Sequence, residues 1–310
     1  MSRIKTMKTL LLLFLLIPSF WVGATELSEN PPSAFAGIVS RKEAAAGKKY
    51  IYKTADGQPL EMEIYFPPGH DPKTASVPGV ILFHGGSWIG GSLDQFRSLC
   101  AYLASRGLVS ATAQYRFHKG EKLPVAAMIK RICITDAKSA IRWFKQNAKE
   151  LGVDPNRIIS GGGSAGAHIS TLATLNPGLN DPGDPKEFDT SVIAYLWFNP
   201  AFSPGDSKDP EVDALRYIKP QMPPSIVFFG DKDDYKKGWD IVHEKIRSLG
   251  PDTAELFIAP GQGHSFFNAV PWMTACAIAV DEFLTKLDLL KGKPTLNLPA
   301  SGQRLVPANP

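Results

Sequence analysis

At 310 residues and 44% apolar, the chain is long enough for one large core and too apolar to be an unstructured polyelectrolyte. Its net charge of +4 includes Arg3, Lys5 and Lys8 at the very start, so the remainder is near neutral and lacks an electrostatic footprint for nucleic acid. Three cysteines (Cys100, Cys133, Cys276) cannot all pair, and none has metal-ligand spacing, which argues against a disulfide framework and against structural zinc.

In chain order, Arg3, Lys5 and Lys8 precede an apolar run from Leu10 to about Trp21. Val22-Gly23-Ala24 then supplies small residues where a signal peptidase reads. The run is short for a bilayer span of ~20 apolar residues and is broken by Pro18. The pattern predicts a signal peptide cleaved after Ala24, a secreted or periplasmic mature chain, and no stable membrane anchor. Nothing in the pattern decides whether Glu26 to Gly47 caps a pocket.

Tyr50–Lys53, the Asp56-Gly57 turn and Leu60–Phe66 read as an antiparallel hairpin. Val80–Phe83 is continuously apolar, as expected of a strand covered on both faces. A helix follows, capped by Ser92 and carrying Phe96, Leu99, Cys100 and Leu103 on one side. Leu108–Gln114 is the next strand, and Asp136–Leu151 the clearest helix, with Gly152 just past its end. Arg157–Ser160, Val192–Phe198, Ile226–Phe229 and Ala254–Ile258 are further strands. A helix containing Trp239, Val242 and Ile246 lies before the last of them. Pro204 to Pro224 reads as a connector with one short helix, and Pro271 starts a final helix ending near Gly292. Residues 25–290 thus form one α/β domain, a mainly parallel sheet with helices on both faces. Residues 291–310 form a loose tail.

The chemistry gathers at strand ends. Gly162-Gly163-Ser164-Ala165-Gly166 fits G-x-S-x-G, in which the serine sits on a strained strand-to-helix turn and the following helix points N–H groups at developing negative charge. Gly161, Gly163 and Gly166 also fit a dinucleotide-loop spacing. The mid-chain position and the missing acidic residue after the next strand count against that reading, and the P-loop lysine is absent. His84-Gly85-Gly86-Ser87-Trp88 follows the Val80–Phe83 strand, where small residues let backbone N–H groups face a carbonyl oxygen. Of six histidines, His264 follows the last strand in Gly261-Gln262-Gly263-His264-Ser265-Phe266, where α/β sheets place chemistry. It is the candidate base. The acid belongs after Ile226–Phe229, in Gly230-Asp231-Lys232-Asp233-Asp234, and spacing does not choose between Asp233 and Asp234.

These motifs resemble the α/β-hydrolase superfamily, within it the hormone-sensitive-lipase-like and feruloyl- or acetyl-xylan-esterase-like carboxylesterases, from about Tyr50 to Leu290. The resemblance implies an α/β-hydrolase fold with a mostly parallel eight-stranded sheet. It implies a triad of Ser164, Asp233 and His264, with Asp234 in reserve. It also implies oxyanion donors on Gly86, Ser87 and Ala165, with Gly85 shaping the turn. The hormone-sensitive type usually has a third glycine at Ser87, and the departure points toward the small-esterase branch. Tyr115-Arg116 matches a structural Tyr-Arg of the family. Trp88, Phe266 and Phe267 are candidates for lining the pocket or for the core, and Trp88 and Phe266 are taken as substrate-binding.

The function expected is a secreted serine carboxylesterase acting on small acyl or glycan (acetyl, feruloyl) esters without a metal or organic cofactor. An exported peptidase or lactonase of the same fold, or a non-catalytic hydrolase-like binding protein, is the alternative. No motif fixes the acyl length or the oligomeric state.

Overall fold

A computed structural model describes residues 37–117 and 126–308. The signal-peptide segment and His118 lie outside the described residues.

β1 (Lys48–Ala55) and β2 (Gln58–Tyr65) are joined by Asp56 and Gly57, both at positive φ, the two-residue turn whose twist matches the strands it connects. β3 (Val77–Phe83), β4 (Val109–Ala113), β5 (Val153–Gly163), β6 (Ala194–Phe198), β7 (Ser225–Gly230) and β8 (Ala254–Ala259) complete the expected set. The spatial order is β1-β2-β4-β3-β5-β6-β7-β8, parallel from β4 onward, with β1 and β2 antiparallel at one edge.

Alternation along the strands sorts side chains to the two faces. Val80, Leu82, Leu196, Phe198, Ile226 and Phe228 pack under α1 (Arg97–Ser105) and, near the chain's end, α7 (Trp272–Lys286). Ile81, Phe83 and Ile158 face α2 (Ala126–Gln146), the short α3 (Ala148–Leu151) and α4 (Ala165–Leu175). Tyr195, Trp197, Val227 and Phe229 face the short α5 (Ala214–Tyr217) and α6 (Lys236–Leu249). The three cysteines are free and buried.

Two expectations need correction. The helix expected at Asp136–Leu151 starts ten residues earlier, at Ala126, and pauses at Asn147 before α3. Ile129, Cys133 and Ile134 extend its buried stripe, and the Asp136 carboxylate lies inside the helix, held by Lys53 and Arg116 at 2.9 and 2.8 Å. Residues 291–308 are not loose, and the sheet has nine strands. β9 (Val306–Pro307) pairs antiparallel with β8, the Ala308 N–H donates to the Leu256 carbonyl at 2.8 Å, and Leu296 and Leu305 pack on the core. A two-residue strand carries no alternation to read. It forms because the edge of β8 offers unpaired backbone groups. Residues 37–47 are tied to the start of α1, with the Val39 N–H on Ser98 Oγ and Arg41 paired to Asp94.

Candidate active site

The carboxyl ends of β3, β5, β7 and β8 converge on one place. Ser164 occupies the turn from β5 into α4 at φ +51°, ψ −114°, a conformation that L-residues adopt only under constraint. The constraint is visible. Its N–H donates to the Phe198 carbonyl at 2.8 Å, and its carbonyl accepts from Ala201 at 3.1 Å. Gly166, one residue into α4, is there for space, since a Cβ would lie 1.9 Å from the Phe83 carbonyl oxygen. Only glycine lets this helix seat so close to β3.

His264, in the loop after β8, reaches back to Ser164, and its Nε2 lies 2.8 Å from Oγ. Its Nδ1 lies 2.8 Å from Asp233 Oδ2. An ionised carboxylate only accepts, so Nδ1 carries the proton and Nε2 offers its lone pair to the serine hydroxyl. Asp233, in the loop after β7, is 6% exposed. Its Oδ1 accepts the Tyr235 N–H at 3.0 Å and its Oδ2 also accepts from Asn199 Nδ2 at 2.5 Å. The neighbouring aspartates go elsewhere. The Asp234 side chain is 93% exposed beside Lys237, and Asp231 holds the Gly261 N–H at 2.9 Å.

The loop after β3 lies against the serine, because a Cβ on Gly85 would come 2.9 Å from the Gly163 carbonyl and 3.3 Å from Ser164 Cβ. Ser87 and Trp88 both hold positive φ, +54° and +63°. The Gly85 N–H donates to Gln95 Oε1 at 2.6 Å. No hydrogen bond among the described residues takes the N–H of Gly86, Ser87 or Ala165. His84 braces the loop from below. Its Nδ1 bonds the Gly85 carbonyl at 2.9 Å, its own carbonyl accepts the Tyr115 hydroxyl at 2.7 Å, and its ring stacks on Tyr115. Burial pushes the His84 imidazole down to about 4, so it is neutral at neutral pH.

The two aromatics read as pocket residues are engaged by the protein itself. Trp88 donates its indole N–H to His168 Nδ1 at 3.3 Å, and Lys130, paired with Asp206, sits 3.9 Å over its ring. Phe266 is 6% exposed and packs edge-on against Phe267 and Trp272 at the edge of the core. Tyr235 is the aromatic beside the base, its ring centroid 4.9 Å from that of His264. Of the other histidines, His70 bonds the Leu151 carbonyl, His168 the Val212 carbonyl and His243 Asp252, so each has a structural partner. Arg116 joins Asp136 to Asp56 away from Ser164.

Asn199 is a residue that sequence reasoning missed. It sits at φ +48°, a conformation asparagine tolerates, directly after β6 and before Pro200. The Asn-Pro pair after an apolar strand was a turn signal, without anything to tie it to the Asp233 loop.

A family model described as BD-FAE matches residues 62–199. Esterase LipC of Mycobacterium tuberculosis is 29% identical over 230 residues, covering 63% of this chain and 55% of LipC. An ethyl acetate hydrolase of Pseudomonas putida is 33% identical over 120 residues, covering 38% and 35%. The chain thus spans about half the length of the first curated relative and about a third of the second. Among solved structures, the apo form of Thermogutta terrifontis esterase 2 superposes with a TM-score of 0.72 at 30% identity, covering 81% of this chain and 98% of its own. With nearly the whole of a solved esterase matched, and the strand order and strand-end loops described above, the chain belongs to the α/β-hydrolase family of esterases.

Proposed function

We propose that this chain is an exported serine carboxylesterase acting on small acyl or glycan esters. The observation that carries the reading is the continuous relay from Ser164 through His264 to Asp233, 2.8 Å at each link.

Ser164 Oγ attacks the ester carbonyl carbon while His264 Nε2 takes its proton. Asp233 holds the imidazole and stabilises the imidazolium that forms. The carbonyl oxygen, now negative, accepts from the N–H groups of Gly86, Ser87 and Ala165, each such donor contributing about 2.7–4 kcal/mol to the transition state. The tetrahedral adduct collapses, His264 returns its proton to the departing alcohol, and the acyl group stays on Ser164. Water then repeats the sequence through the same base and releases the acid.

Short acyl groups are favoured by analogy. The relatives include the ethyl acetate hydrolase, and esterase 2 has been solved with propionate and with butyrate bound. Export is supported by the charged, apolar and small-residue succession of residues 1–24. It is checked by mass spectrometry of the mature protein, and an intact Met1 would refute it.

The decisive experiment is hydrolysis of p-nitrophenyl esters from acetate to decanoate, together with acetylated and feruloylated xylan, by wild type and Ser164→Ala. Esterase 2 is phosphorylated by paraoxon, so paraoxon serves as a titrant here. Wild type is expected to hydrolyse the short esters and to gain one phosphoryl adduct. Ser164→Ala is expected to do neither while melting at a similar temperature. Folded wild type inert to every ester would turn the reading toward a peptidase, a lactonase or a binding protein.

A further inference from the structure

Gln95 lies in the short turn ahead of α1, 7% exposed, and is absent from the relay just described. Its carboxamide spans two loops of the site. Oε1 accepts the Gly85 N–H at 2.6 Å, and Nε2 donates to Asn268 Oδ1 at 2.9 Å, in the turn that follows His264. It also lies beneath the nucleophile turn, since a Cβ on Gly163 would come 3.1 Å from its Oε1. The orientation is forced by chemistry. A backbone N–H only donates, so Oε1 must face Gly85, which leaves Nε2 for Asn268 and requires Asn268 to present oxygen.

We propose that Gln95 is a positioning residue that sets the oxyanion hole and locks it to the loop carrying the base. The proposal rests on the ester-hydrolysis reading above. By taking the Gly85 N–H, Gln95 fixes the peptide plane from which the Gly86 and Ser87 donors are aimed. That loop needs an outside hold, because two consecutive non-glycine residues, Ser87 and Trp88, sit at positive φ in it. Donors work on an oxyanion only within a narrow window of position, so a loop released by a few tenths of an ångström loses rate before it loses substrate affinity. Through Asn268 the same amide sets the distance between the hole and His264.

The test compares wild type, Gln95→Met, Asn268→Ala and the double variant. It measures kcat, KM and inhibition by a trifluoromethyl ketone, which adds to the serine and presents an oxyanion. Gln95→Met is expected to lower kcat about tenfold or more and to weaken the ketone by a similar factor, with KM changed less than about twofold. Asn268→Ala should act in the same direction and more weakly, and it carries the test if Gln95→Met does not fold. The double variant should be little worse than Gln95→Met, because one bridge is broken in both. Unchanged kcat, a kcat loss with ketone affinity intact, or losses that multiply would each overturn the proposal. Absence of ester hydrolysis in wild type would instead overturn the reading beneath it.

Discussion

At the scale of single residues, the acid of the relay depends on its surroundings. Three aspartates lie within four positions after β7, and on paper each is a loop carboxylate. Burial separates them: Asp233 is enclosed and accepts hydrogen bonds from three residues, while Asp234 is open to solvent. Asn199 is one of those donors, and it arrives from a different strand. Replacing Asn199 with Leu removes a donor to a buried carboxylate and lets Asp233 swing from the imidazole. We expect kcat to fall about tenfold with KM little changed, since the loss is felt when the imidazolium forms. Steady-state kinetics on a p-nitrophenyl ester check this, and an unaltered kcat would show that the Asn199 bond is dispensable. Ser164 and His264 are legible in the sequence because glycine spacing and a strand end announce them. Asn199 and Gln95 are not, because a polar residue after a strand or in a turn acquires its meaning from partners up to 173 positions away.

At the scale of elements, the hydrophobic stripes locate the strands and helices, and the errors fall where packing is mixed with charge. α2 shows this. Its first eleven residues interleave Lys130, Arg131 and Asp136 with the apolar stripe, and each of these charges has an ion-pair partner in the fold. Lys138 goes further. It is 2% exposed, and its ammonium donates to the carbonyl of Asn176 at the carboxyl end of α4, where the helix dipole favours a cation. Burial nevertheless pushes it down from its ordinary 10.5 to about 8. Because its folded value lies below its unfolded one, the unfolded chain holds the extra proton between pH 8 and 10.5. Stability therefore rises with pH across that window. The melting temperature of wild type should gain on that of Lys138→Met from pH 8 to pH 10.5. A difference independent of pH would mean that the buried ammonium is not titrating.

At the scale of the whole molecule, strand order and the placement of chemistry at strand ends follow from the alternation of strand and helix in the sequence. The closing of the sheet does not. β9 is formed by main-chain pairing alone, and it covers an edge that would otherwise present the unpaired backbone of Leu256 to Ile258. Exposed edges recruit other edges. A chain ending at Lys293 should keep its relay and its esterase activity at low concentration but self-associate as concentration rises, measured by light scattering. A strictly monomeric truncation would show that the edge is protected without β9.

The three cysteines described with the core have a consequence for the environment the protein tolerates. All are enclosed, and burial raises every thiol well above the range in which a thiolate forms at neutral pH. No thiol is poised to attack, to be alkylated or to be bridged, and the relay contains none. The folded protein thus passes between reducing and oxidising surroundings without a disulfide to make or break.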